Sequence, residues 1–371
     1  MKRIAVFLLV LSVIMVSPFM NYSDLEKNLF VTAVLIDKDG DNSYKIYYEC
    51  FKPTTKTSSV AEGGDRVVIH SDCSNLADLY RKVNSKSSLR LTLSQNRVIL
   101  FSKKMAMDGI DEIMDMFTHE KEFVIGSELA IWDNDPERIE DITLKGERFI
   151  GPYLTSQFKN INSDVSSSPL ETVRQLYNDS AVGSEISLIP IVKVEHNLSG
   201  SRVDIIGSGV LKDYKLIETL NSSQIIDINF LKNNIKSTYI RAQHPDFLDK
   251  SVVLKVLNSK TTTKYSYTGS NFIVNKLVTV NCVFNGSEGK INLSNENIKK
   301  IQKSAEEDLT NQMNQLVIRY EKKGIDVLKI GEELYRYYPH QLKLDRLKNV
   351  QIPIKVKVTI DSTNDPKDFK S

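Results

Sequence analysis

Cysteine is scarce in this chain of 371 residues: Cys50, Cys73 and Cys282 make an odd count with no CxxC. Neither a disulfide framework nor a structural zinc site is implied. Cys50 shares strand parity with Tyr44, Ile46 and Tyr48, and Cys282 with Val278, Val280 and Phe284, so both read as buried, inert thiols. A Cys50–Cys73 bridge stays open in an oxidising compartment. An excess of charge of either sign is also lacking. Setting aside Lys2 and Arg3 leaves 47 basic against 47 acidic side chains, which argues against a nucleic-acid binder.

Catalytic signatures are missing as well. The chain has no G-x-x-x-x-G-K-[ST], G-x-G-x-x-G, G-x-S-x-G or H-E-x-x-H, so phosphate cradles and the commoner hydrolase motifs are absent. His70-Ser71-Asp72-Cys73 holds the residue types of a thiol nucleophile, but neighbours in sequence are rarely partners in space, and a solvated loop explains them. Asp37-Lys38-Asp39-Gly40-Asp41 alternates carboxylates as a calcium loop does. The twelfth residue from Asp37 is Tyr48, however, where a bidentate glutamate is needed. A hairpin turn between strands 31–36 and 44–51 accounts for the same residues. Six N-x-[ST] sequons, Asn178 and Asn285 among them, read as chance in an Asn- and Ser-rich chain. No catalytic residue, metal ligand or cofactor is expected.

Only one long apolar run occurs. Residues 4–20 carry no charge and follow Lys2-Arg3. Seventeen residues sit at the lower limit for spanning a bilayer and also suit a signal-peptide core. The basic flank holds the N-terminus in the cytoplasm and sends the remainder outward. With Met15 and Ser17 a poor cleavage pair and Pro18 following, an uncleaved anchor is expected.

The length suggests two or three domains. After the strand Tyr44–Phe51 and a polar loop from Thr54 to Asp65, Ser74 caps a helix striped by Leu76, Leu79, Tyr80 and Val83. Val98–Phe101 is a short buried strand, and Ile110, Ile113, Met114 and Phe117 stripe the next helix. A further strand is expected at 122–125 or beyond Asp141. Asn160–Ser168 reads as a linker or exposed loop. Ser168-Pro169-Leu170-Glu171 reads as a capping box opening a helix that continues through Val173, Leu176 and Tyr177. Strands follow at 186–195, 202–206 and 216–220, then a helix at 222–231.

The last third carries the clearest pattern. Ile298, Ile301, Ala305, Leu309, Met313, Leu316 and Tyr320 repeat at three or four, giving a helix over about 295–323 that ends at Gly324. Asp326 caps the next helix, striped by Val327, Ile330, Leu334 and Tyr337 and halted by Pro339. Every even position in 350–360 is Val or Ile, a half-buried strand that Pro353 places at an edge. Tyr335, Tyr337 and Tyr338 beside Arg336 offer a partner surface; a core helix with partly buried rings explains them equally well.

Four stretches fall in an order that resembles one family. The first is Asp24-Leu25-Glu26 to Asp37, with the strand reaching Pro53. The second is Arg97 to Phe101 with the helical unit around Gly109-Ile110. The third is Ile206-Gly207-Ser208-Gly209-Val210-Leu211-Lys212-Asp213-Tyr214-Lys215-Leu216, and the fourth runs from Glu321 through Gly324 and Asp326 to Tyr338-Pro339. Together they resemble the Ger(x)C (GerAC-like) proteins, C subunits of nutrient germinant receptors in endospore-forming bacteria. Three departures stand out. There is no lipobox cysteine near Phe19, Met20 and Asn21, so the leader itself would serve as anchor. Glu218 replaces a glycine, and Leu342 stands where an aromatic is common.

The resemblance implies an α+β fold of three mixed domains, each a small sheet with packed helices, behind the N-terminal segment. The corresponding boundaries here are 1–20, 24–180, 183–245 and 246–371. It implies a non-enzymatic subunit on the outer face of the spore inner membrane, working with A-type and B-type polytopic membrane subunits in assembly or signalling. Asp37, Gly109, Gly207, Lys212, Leu216, Gly324 and Asp326 are its motif positions, with no role attached. Two other readings remain: an anchored extracytoplasmic small-molecule-binding protein and an extracytoplasmic hydrolase. A deep pocket with converging polar groups would favour these two, and a shallow surface with exposed aromatics the first.

Overall fold

The computed structural model describes residues 27–40, 43–53, 65–74, 79–86, 88–119, 122–181, 186–197, 200–269, 271–338 and 350–361. The apolar run 4–20 and Asp41, Pro339 and Leu342 lie outside them. None of the described helices is long and apolar enough to cross a membrane.

The first sheet grows from a run of strongly apolar strands. β1 (Asn28–Lys38), β5 (Val98–Ser102), β6 (Glu128–Trp132) and β7 (Ile186–Asn197) lie side by side and parallel. Every residue of β5 is buried, as expected for a parallel strand covered on both faces. β2 (Tyr44–Lys52) and β3 (Asp65–Cys73) extend one side antiparallel, and β8 (Gly200–Lys212) and β9 (Lys215–Leu220) the other. With β4 (Arg90–Thr92) beside β1, nine described strands make up the sheet. Strand parity then divides the core. Ile99 and Phe101 meet α1 (Leu79–Lys86), α2 (Lys103–Asp108), α3 (Asp111–His119) and α5 (Val173–Ala181), while Val98 and Leu100 meet α4 (Ile150–Asp164) on the opposite face.

The second sheet is built on a long antiparallel hairpin, β11 (Ser251–Tyr267) and β12 (Phe272–Ser287). β10 (Thr238–Gln243) lies beside β11, and β13 (Val350–Gln351) and β14 (Ile354–Asp361) run parallel to β12. Alternation buries Val252, Leu254 and Val256 on one face only. That face is covered by α6 (Ser222–Leu231), the 28-residue α7 (Asn295–Lys322) and α8 (Ile330–Tyr337). Pro353 donates nothing to the ladder and sits in the break between β13 and β14, which occupy the edge as expected.

Several expectations need correction. The middle segment 183–245 has no sheet of its own: β7 pairs with β6 and carries β8 and β9 with it, so the first sheet runs through the expected boundary at 180–183. The strand expected at 122–125 is a turn, and the strand lies three residues later at Glu128–Trp132. Asn160–Ser168 is not an exposed linker. α4 continues to Asp164, and Ser166, Ser167 and Ser168 are buried. The capping box is also displaced: Thr172 and Gln175, not Ser168 and Glu171, exchange side-chain-to-backbone bonds at 3.3 and 3.0 Å. All three cysteines are buried and free. Cys50 faces Val67 and Cys73 faces Tyr44 across the β2–β3 ladder. The two thiols are thus six residues apart along it, roughly 20 Å, far beyond disulfide reach.

Candidate functional site

Three of the motif positions, Gly109, Lys212 and Leu216, meet where β8, β9 and α2 come together. β8 and β9 are joined by a two-residue turn in which Asp213 and Tyr214 both take positive φ, 49° and 66°, the geometry of a tight hairpin. Gly109 closes α2 by donating to the Met105 carbonyl at 2.9 Å and lies against the Lys215 side chain. Ile110 then donates to the Tyr214 carbonyl at 3.1 Å, so the second and third motifs touch. Lys212 pairs with Lys215 across the turn, and Leu216 follows at a bulge against Leu211. Gly207, at φ 153°, passes so close to β9 that a Cβ there would stand 2.3 Å from the Leu220 carbonyl oxygen. Asp37 stands apart on β1, accepting a hydrogen bond from the Ser102 hydroxyl. No group of three or more metal-ligating side chains occurs among the described residues.

Gly324 and Asp326 form the corner between α7 and α8. Gly324, at φ 66°, ends α7, and Ile325 N–H reaches back to the Tyr320 carbonyl at 3.0 Å. Asp326 caps α8 from further away than its spacing suggested. Its carboxylate accepts from Ile330 N–H at 2.9 Å and Gly331 N–H at 2.7 Å, with Val327 and Leu328 still outside the helix. Burial pushes this carboxyl above its usual range, and the two N–H groups pull it back.

Glu218 ties β9 to the end of α7 through Arg319 at 2.9 Å and Lys323. The Lys323 bond and the two cations hold its carboxyl below the usual range. A second tie runs from Lys329 to Asp179 of α5, and a third is Ser166, which bonds Lys236 N–H, the Ser237 carbonyl and the Asn229 side chain. Lys329 of the second tie, with Asn229 and Lys236 of the third, also lines a cavity of about 430 Å³, together with Glu171, Lys232 and a mixture of apolar and amide side chains. Burial raises the Glu171 carboxyl to about 7, and burial lowers the Lys232 ammonium. Glu171 was visible only as the expected capping-box glutamate and Lys232 not at all, because residues 61 apart in sequence meet only once the chain has folded. Glu49 is a third omission: a fully buried carboxylate in β2 that accepts from Arg66 at 2.7 Å and from Ile150 N–H at 2.9 Å. An acidic residue among the apolar ones of Tyr44–Phe51 was its one visible signal.

His70 and Cys73 project from opposite faces of β3, which dismantles the thiol nucleophile: His70 is exposed and Cys73 buried. Asp37 and Gly40 belong to the β1–β2 hairpin, closed by Asp39 N–H to the Ser43 carbonyl at 2.7 Å. The tyrosines divide: Tyr335 and Tyr337 are exposed, with Tyr337 stacked on Tyr265 at 4.7 Å, whereas Tyr338 is half-buried beside Tyr267 and Phe272.

Two family models match in order. The spore germination protein N-terminal domain covers residues 21–194, and the spore germination B3/GerAC-like C-terminal domain covers 206–364. Spore germination protein GerQC of Bacillus cereus is 22% identical over 289 residues, covering 76% of this chain and 79% of that one. Spore germination protein KC of Bacillus subtilis (strain 168) is 21% identical over 367 residues, covering 92% and 89%. The crystal structure of the GerBC protein superposes with a TM-score of 0.54 at 16% identity, covering 88% of this chain and 96% of that one, and shares the mixed α+β fold. The chain belongs to the GerAC-like family of spore germination proteins.

Proposed function

We propose that this chain is the C-type subunit of a spore nutrient germinant receptor, acting in germination by contact rather than by catalysis. The observation that carries the reading is the ordered match of both family domains over almost the whole chain. In this reading residues 4–20 hold the body on the outer face of the spore inner membrane. A-type and B-type polytopic subunits are its partners in assembly or signalling. The motif positions support a structural part for the family residues. Gly207, Gly324 and Asp326 shape backbone, and Gly109 with Leu216 packs α2 against the β8–β9 turn. The exposed Tyr335 and Tyr337 suit a contact surface, since aromatics dominate interface energetics.

The test is affinity purification of the tagged chain from spore membranes in mild detergent. Polytopic A- and B-type proteins are expected to co-purify, and recovery of the chain alone from the soluble fraction would contradict the proposal. Intact-mass measurement of the purified chain reads the anchor directly: retention of residues 1–20 is expected, and their loss would remove the uncleaved tether.

A further inference from the structure

The cavity between the two halves has a definite chemistry. Its lining is mixed: Leu170, Ile186, Leu188, Ile228, Ile235 and Val327 give an apolar side, and Asn162, Ser168, Asn229, Asn233 and Asn234 join the charged groups on the rest. Lys329 is neutralised by Asp179 of α5. Lys236 lies at the exposed rim. The Lys232 ammonium, half-buried just past the end of α6, makes no hydrogen bond or close ion pair among the described residues and feels Glu171, Asp179 and Glu332 only at longer range. Opposite in charge, Glu171 keeps Oε1 buried with nothing to bond. An unpaired ammonium and an orphaned carboxyl oxygen beside an apolar space are costly for the empty protein. Both costs fall if a guest supplies one negative charge and an oxygen that accepts a hydrogen bond from the Glu171 carboxyl.

We propose that this cavity binds a small monocarboxylate with an apolar body, its carboxylate on the Lys232 ammonium and its hydrocarbon against the isoleucine wall. One unpaired cation matches one negative charge; a dianion would leave charge uncompensated, and a cation would meet Lys232 head-on. Glu171 can keep its proton near neutral pH, because burial and the Asp179 carboxylate outweigh Lys329 and Lys232. In that form it donates to the guest carboxylate instead of repelling it. The volume, about 430 Å³, lies in the range of small-ligand sites. The walls come from α6, β7 and the α7–α8 corner, so a guest would brace the two halves against each other. The proposal stands apart from the receptor reading.

Equilibrium dialysis of labelled isovalerate against the full chain in detergent tests it, with isoamylamine as the cationic isostere. Saturable isovalerate binding is expected, with isoamylamine at least tenfold weaker. Lys232→Met and Lys232→Gln should each weaken isovalerate about tenfold, and Lys232→Arg should restore it to within about threefold. Either neutral variant suffices if the other does not fold. Absence of saturable binding, equal binding of the amine, or unchanged affinity in the neutral variants would overturn the proposal. Failure here leaves the co-purification result untouched.

Discussion

The first sheet and the second differ in how they treat what they bury. The nine-stranded sheet has helices on both faces, and its one fully buried carboxylate, Glu49, is saturated: Arg66, the Thr32 hydroxyl and the first two N–H groups of α4 all donate to it. The five-stranded sheet is covered on one face, and its covering helix α6 buries Asp227 with no cation near enough to matter. Burial alone lifts that carboxyl to about 7. The contrast between these two residues teaches that a buried carboxylate with donors on every side is part of the architecture, whereas Asp227, without them, is carried protonated at a standing cost.

The sharpest way to break this comparison is Glu49→Ala. It strips Arg66 of its carboxylate and α4 of its acceptor, and is expected to cost about 3–5 kcal/mol, read as a lowered urea midpoint. An effect under about 1 kcal/mol would erase the distinction.

Asp227 carries the opposite expectation, visible as pH dependence. Its folded-state pKa of about 7 lies above the ordinary 3.8, so the folded protein holds the extra proton. Stability from this group is full below about pH 4 and is lost as pH rises towards about 7, on the order of 4 kcal/mol across the window. Glu171, lifted in the same direction, adds to that slope. Asp227→Asn is expected to flatten its share in melts taken between pH 4 and 8; an unchanged slope would show that the carboxyl is solvated after all.

Gly207→Ala tests the close crossing of β8 over β9. A cost of about 2 kcal/mol is expected from the left-handed backbone and the 2.3 Å approach to Leu220. The smallest stability effect belongs to Tyr337→Ala, whose ring is mostly exposed on Tyr265: about 0.5–1 kcal/mol. Its readout is partner recovery in the membrane purification, expected to fall while the melting temperature barely moves.

Legibility in the sequence follows the same divide. Elements with a strong local period are read almost residue for residue: α7, α6 and the β14 edge all sit where Ile/Leu spacing, capping residues and alternation put them. The helix α4 was hidden because its C-terminal turns, Asn160 to Asp164, are mostly polar and its main core contacts, Ile150, Leu154 and Phe158, lie earlier in the helix. The β11–β12 hairpin was only half legible. Val278, Val280 and Cys282 mark a strand, but Thr261, Thr262 and Thr263 on its mate carry no apolar period. Sheet continuity across 180–183 was not readable at all, since the first β6–β7 pair, Ile131 with Ile191, joins residues 60 apart with α4 and α5 between them. The cavity needs three such long-range meetings at once.

The most direct measurement is nutrient-triggered germination of spores lacking this chain, followed by complementation. A body that works by contact predicts that response to at least one nutrient class is lost, and that the wild-type chain restores it. Spores that answer every nutrient normally without it would contradict the account.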